Sequence, residues 1–232
     1  MILQRGVATT EPMPLRIRLL RFVAYPWALI SLLYLGSLMG PEKVKCDPPV
    51  PAQPVTEAVD ETTEQKLRPL MDLIANEEGG YDSINRGYAG DTPGGMKSLT
   101  GSSLASYTVA EVMGFQNGTV YAVGRYQFIP STLKAAVSYS DVSFQDKFTS
   151  EVQDRLMASL VLHKRPEVGS WLRGEHDDLW AATTGLAKEW ASIEYLNGRG
   201  YYDGLGGNRA SISRAELLSV LNEIKESWQT EG

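Results

Sequence analysis

Residues 22–40, F-V-A-Y-P-W-A-L-I-S-L-L-Y-L-G-S-L-M-G, carry no charged side chain. That run constrains how everything after it can be arranged. At about 1.5 Å per helical residue it is long enough to cross a hydrocarbon core of ~30 Å. Arg16, Arg18 and Arg21 stand just before it. Cationic flanks stay on the cytoplasmic side of a membrane. The expected layout is therefore a cytoplasmic tail at 1–21, one transmembrane signal-anchor helix at 22–40, and export of the remainder. Trp27 and Tyr34 suit the two interfaces. A cleavable signal peptide is the rival reading, but no A-x-A-like site ends the run and it is long for an h-region. A buried soluble helix is the plain alternative. Val44 and Lys45 before Cys46 do not make a lipobox. Ala24, Ala28, Ser31, Gly36, Ser37 and Gly40 dilute the apolarity, which suits an anchor able to leave the membrane later.

Pro41, Pro48, Pro49, Pro51 and Pro54 lead into a Thr/Glu-rich stretch, so 41–66 is expected to be a linker. Prolines favour extended polyproline II and a semi-stiff spacer. A disordered linker with no spacing role fits the same residues. The folded domain is then expected at 67–232. A net charge of −6 and a pI near 5.1 argue against a nucleic-acid binder that relies on bulk basicity. A lone cysteine, Cys46, excludes an internal disulfide. With it and only His163 and His176, no structural zinc site is expected. Asp203 to Asn208 lacks the pattern of a calcium loop. No metal or cofactor is expected, and the chain is expected to be a monomer.

Periodicity then places the elements. Leu67, Leu70, Met71 and Ile74 recur at helical spacing, and Pro69 belongs in an opening turn, so a helix is expected from near Pro69 to Gly79. Tyr81 to Arg86 reads as a strand, broken by Gly87, Gly90 and the Thr92-Pro93-Gly94-Gly95 turn. Thr108-Val109-Ala110-Glu111 is a capping box for a short helix to about Gln116, with a turn at Asn117-Gly118. Thr132 to Val137 reads as helix. Ser150-x-x-Gln153 is expected to cap a longer helix with Val152, Leu156, Leu160 and His163 on one side. Leu179, Ala182, Leu186, Trp190 and Ile193 trace another, capped by Asp177 or Asp178. Residues 197–209 are glycine-rich. Ser213-Arg214-Ala215-Glu216 opens a last helix with Leu217, Leu218, Leu221, Ile224 and Trp228 as its apolar face. The expected class is α+β, mostly helical with a small sheet early in the domain.

The chemistry is carried by two short stretches. The first is Asn76-Glu77-Glu78-Gly79-Gly80-Tyr81-Asp82, with two acids where a helix ends. A carboxylate there faces the negative end of the helix dipole, which raises its pKa as a general acid requires. A solvated acidic helix end is the plain alternative. The second stretch is Gly124-Arg125-Tyr126-Gln127-Phe128-Ile129-Pro130-Ser131-Thr132. It resembles the G-L-M-Q-I-x-P-x-T signature of lysozyme-like lytic transglycosylases. The fuller likeness is to phage lambda-type endolysins, which carry an S-E-G step, a G-Y-D-x-I strand, a G-R-Y-Q motif and a W-A-S-L segment. Here Glu78-Gly79, Gly80-Tyr81-Asp82-Ser83-Ile84, Gly124 to Gln127 and Trp190-Ala191-Ser192-Ile193 stand in that order, across most of 67–207. The chain departs from the pattern in a compressed segment between the acid and Tyr81-Asp82, and in the loop after Trp190.

That resemblance implies a lysozyme-like fold with a small β-hairpin as one cleft wall. It implies cleavage of peptidoglycan at the β-1,4 bond between N-acetylmuramic acid and N-acetylglucosamine, with the domain in the periplasm and no cofactor. Glu78 precedes the glycine as in the motif and is preferred to Glu77 as catalytic acid. Gln127 is implied to line the cleft, to bind an N-acetyl group or hold Glu78, or else to brace its loop. Arg125, Tyr126, Tyr201 and Tyr202 are further substrate-binding candidates; Tyr126 is alternatively core, and the Tyr201-Tyr202 pair a surface turn. Asp82 and Asp91 are available as a second carboxylate for hydrolysis. Local pairing in a strand is the better reading of Asp82, and a turn role of Asp91. The spacing E-x8-D-x5-T is absent, since Gly87 follows Glu78 by nine. This favours transglycosylation, in which the sugar's own C6 hydroxyl attacks, over a hydrolytic muramidase. An inactive wall-binding relative and an unrelated exported interaction domain complete the alternatives.

Overall fold

The first helix begins well before the apolar spacing suggests. Helix α1 runs Glu61–Glu78, with Asp60 accepting the Thr63 amide at 2.7 Å and Glu61 and Glu64 in its first turn. Those acids complement the positive end of the dipole. Pro69 therefore lies inside the helix rather than in its opening turn, and the linker expected to reach residue 66 stops before Glu61. An interior proline sacrifices one helical hydrogen bond. Leu67, Leu70, Met71 and Ile74 are completely buried around it, and their burial outweighs that loss. The computed structural model describes residues 59–205 and 207–230. The run 22–40, most of the linker and Cys46 lie outside them. Among the described residues no helix is long and apolar enough to cross a membrane.

The strand expected at 81–86 contracts to β1, Ile84–Asn85. Its partner is β2, Ala122–Val123, antiparallel with Ile84 opposite Val123 and Asn85 opposite Ala122. This small antiparallel pair is made between segments far apart in the chain. Between them lie α2 (Gly95–Thr100), which forms where a turn alone was expected, and α3 (Val109–Gln116). The α3 capping box is complete, with both reciprocal bonds between Thr108 and Glu111. Helix α4 spans Pro130–Ser138, using Pro130 as its first residue.

Helix α5, Ser150–Ser159, is capped by Thr149 rather than Ser150 and widens into a π turn at Leu160–Lys164. A short α6, Pro166–Leu172, follows. Helix α7, Leu179–Glu189, is capped by Asp178, and Trp190 and Ile193 lie beyond its end. A second antiparallel pair joins β3 (Glu194–Leu196), just before the glycine-rich stretch, to β4 (Arg199–Gly200) within it. Helix α8, Arg214–Thr230, is opened by the Ser213–Glu216 box.

Helix α1 packs against α5 and α8, and α6 against α7. At the centre Tyr126, Phe128 and Phe148 meet edge to face, with ring centroids 5.8 and 6.3 Å apart. The 124–128 segment is thereby tied to the core, while α1 ends beside it.

Candidate active site

At the end of α1 the chain must turn sharply. The Gly79 amide still bonds to Ala75 O at 2.9 Å, but Gly79 itself has φ +155°. A Cβ there would meet Ser83 at 2.8 Å, so both the angle and the space demand glycine. The Ser83 hydroxyl closes the turn by accepting the Gly80 amide at 2.8 Å. Glu78 is left facing a cleft of about 850 Å³, within the range of small-molecule sites.

Glu78 and Gln127 both line this cleft. Glu78 is half-buried, and its Oε1 accepts the Ser192 hydroxyl at 2.6 Å. Burial pushes its carboxyl above the usual carboxylate range. Bonding from the Ser192 hydroxyl and amide opposes that, and the neighbouring Glu77 charge adds to it. Ser192 is itself buried and fixed, because its carbonyl accepts the amides of Ser211 and Ile212, each at 2.8 Å. The Trp190–Ile193 segment thus delivers a rigid hydroxyl to the end of α1 from 114 residues away.

Gln127 adopts φ +46°, a left-handed conformation uncommon for a residue with a side chain. Its Nε2 donates to Gly124 O, and its Oε1 accepts Asn85 Nδ2, both at 2.9 Å. The amide braces its own turn against β1. Each amide atom keeps one further bonding site for a ligand. Asn85 also lines the cleft, so the two amides form one polar wall.

Of the two residues before Gln127, Tyr126 borders the cleft and Arg125 does not. Arg125 is absent from the cleft lining; its guanidinium pairs with Asp72, bonds to the Tyr81 hydroxyl at 3.0 Å and lies 5.0 Å from the Tyr81 ring centre. Tyr126 borders the cleft floor but is 1% exposed, with its hydroxyl bonded to Asp154. It packs as core. Asp154, 4% exposed, also takes Arg68 at 2.6 Å and Tyr81 at 2.8 Å. Beside it, Gln153 accepts the Arg125 amide at 2.9 Å and donates to Tyr81 O at 3.0 Å. Helix α5 thereby holds the Gly124–Gln127 turn from behind.

Asp82 does not reach the cleft either. Its two oxygens accept the amides of Leu104 at 2.6 Å and Lys97 at 3.0 Å, so it secures α2 and the turn after it. Asp91 is a turn residue, accepting Thr92 Oγ1 and the amides of Arg86 and Tyr88, which hold its carboxyl below the usual range. Tyr202 lines the cleft and donates to Lys188 O at 2.8 Å; Tyr201 stands outside it. Two further carboxylates line the cleft. Glu77 is exposed, whereas the Glu189 side chain is 1% exposed and clamped by Lys164 at 2.8 Å and Arg165 at 2.6 Å.

Ser192 and Asn85 are site residues that no sequence argument singled out. Ser192 had a signal, since it sits in the Trp190–Ile193 stretch already matched to W-A-S-L. Asn85 had none. Among the described residues no cluster of three or more His, Cys, Asp or Glu is placed to hold a metal ion. Comparison with protein-family models, curated proteins and solved structures finds no match to this chain.

Proposed function

We propose that this chain cleaves peptidoglycan glycan strands at the β-1,4 bond between N-acetylmuramic acid and N-acetylglucosamine, by lytic transglycosylation, with Glu78 as acid and then base. The observation that carries the reading is a half-buried, pKa-raised Glu78 held by Ser192 in a cleft also lined by Gln127 and Asn85. Protonated Glu78 gives its proton to the glycosidic oxygen as the anomeric C–O bond breaks, and positive charge grows on the sugar. The C6 hydroxyl of that sugar then attacks the anomeric carbon and returns its proton to Glu78. The 1,6-anhydro product forms with no water consumed. Gln127 and Asn85 are suited to hold an N-acetyl group. The chain's one long uncharged run would anchor it in the inner membrane, with the cleft on the periplasmic side.

Transglycosylation is preferred to hydrolysis because the candidate second carboxylates are occupied. Asp82 accepts two backbone amides, and Glu189 is held by two cations. Glu77 is the carboxylate on which a hydrolytic route would rely. The test is full-length protein in detergent acting on purified sacculi, with released fragments read by mass spectrometry. Fragments lighter by one water than the hydrolytic product are expected. Reducing ends would assign hydrolysis, and no release at all would remove the enzyme reading.

A further inference from the structure

Four aromatic rings form a row that starts in the cleft and leaves it. Tyr202 lines the cleft, Tyr201 lies 5.1 Å from it, Tyr195 5.3 Å further, and Trp180 5.5 Å beyond that, centre to centre. They come from α7, from β3 and from the turn after β4, so the row is assembled by the fold and not by a single loop. Tyr195 is half-buried and packs on the core, while Trp180 and Tyr201 remain 45% and 43% exposed. Single exposed rings are ordinary, but contiguous ones joined to a cleft are the kind of patch that marks a binding surface. A cation lies over one face of each exposed ring: the Arg214 guanidinium 4.9 Å from the Trp180 ring centre, and the Lys188 ammonium 5.6 Å from that of Tyr201. Lys188 also lines the cleft.

We propose that this row is a second binding segment, which carries an extended glycan chain away from the point of cleavage. The inference rests on the glycan-cleaving reading above. A sugar ring has an apolar C–H face and a polar rim. The face stacks on an aromatic ring, and the rim stays in water or meets a cation. The carboxylates of peptide stems on such a strand match Lys188 and Arg214 in charge. Continuity with the cleft selects a glycan as occupant, because a chain seated against Tyr202 meets Tyr201 next.

The experiment uses the full-length chain in detergent with Glu78→Gln as background, so that binding to sacculi is read without cleavage. Adding Trp180→Ala or Tyr201→Ala is expected to weaken co-sedimentation by ~10-fold, which corresponds to one lost stacking contact. In the active protein each substitution is expected to raise KM for sacculi and leave kcat within a factor of about two, the signature of binding shared by ground and transition states. Unchanged sedimentation of both variants, with Glu78→Gln itself bound, overturns the proposal and leaves the catalytic reading standing. A Trp180→Ala loss seen on anionic phospholipid vesicles but not on sacculi makes the row a membrane face and overturns it too. Failure of Glu78→Gln to sediment, with no cleavage by the parent chain, removes the reading on which the proposal rests.

Discussion

Glu78 is one carboxyl on which three influences compete, and they are separable by single substitutions. Burial and the Glu77 charge raise its pKa, while Ser192 lowers it by bonding to the charged form. Ser192→Ala removes the hydroxyl, the larger of the two opposing bonds, and leaves burial opposed only by the Ser192 backbone amide. The expected outcome is a pH–rate profile for sacculus clearing whose alkaline limb moves upward, since the acid keeps its proton to higher pH. An unmoved limb would show that Ser192 merely packs. Glu78→Gln is expected to reduce clearing by about 10²- to 10⁴-fold, the range for loss of a general acid. The same substitution has a thermodynamic signature. A carboxyl whose folded pKa is raised stabilises the fold least once ionised, so its cost is absent below the unfolded pKa and complete above the folded one. The neutral amide avoids it. Glu78→Gln should therefore melt higher than the parent, by a margin that widens as pH climbs through that window; a constant margin would contradict the assigned shift. Glu78 was legible because a glycine follows an acid at a helix end. The hydroxyl on it was not, because its partner lies far along the chain and no local periodicity links the two.

Elements with local signals were legible, and those made by distant pairing were not. The capping boxes at Thr108–Glu111 and Ser213–Glu216 are four-residue patterns, and both helices start where the patterns say. Thr108→Ala is expected to cost about 1 kcal/mol, read from chemical denaturation, as for other lost caps. Strands β1 and β2 have two residues each and exist through each other, so neither shows an alternation to detect. Helix α1 misleads for a different reason. Pro69 locally argues for a start, yet the buried row from Leu67 to Ile74 carries the helix through it. Pro69→Ala restores a helical donor, offset in part by a freer unfolded chain, and is expected to stabilise by roughly 1–3 kcal/mol. A lower melting temperature for that variant would mean that the proline is accommodated by strain-free local geometry.

At the scale of the whole domain, the acid and the amide wall are set by one buried anchor. Asp154 on α5 gathers Arg68 from α1, Tyr81 from the turn after it and Tyr126 from the 124–127 turn. Glu78 ends the helix that Arg68 belongs to, and Gln127 follows Tyr126 directly, so both are referenced to the same carboxylate. Arg125 and Tyr126 were expected beside the substrate, with core as the alternative for Tyr126; Tyr126 borders the cleft as a buried ring, and Arg125 lies outside the lining. Residue order does not show that their polar groups are taken up by Asp72, Tyr81 and Asp154. Two substitutions weigh the anchor. Tyr126→Phe removes one donor and leaves Asp154 its bonds to Arg68 and Tyr81, so a loss of about 1 kcal/mol is expected. Asp154→Ala takes away the acceptor for the buried Tyr126 hydroxyl proton, leaving that oxygen only its bond from Arg125, and opens a void. Arg68, half-exposed, regains water in compensation, which brings the expected cost to about 2–4 kcal/mol. Urea unfolding of both variants measures these. If the anchor sets the cleft, Asp154→Ala should also lose clearing activity at temperatures where it remains folded, whereas Tyr126→Phe should lose little. Equal activity in the folded Asp154→Ala variant would mean that α1 and the Gln127 turn hold their relative positions without it.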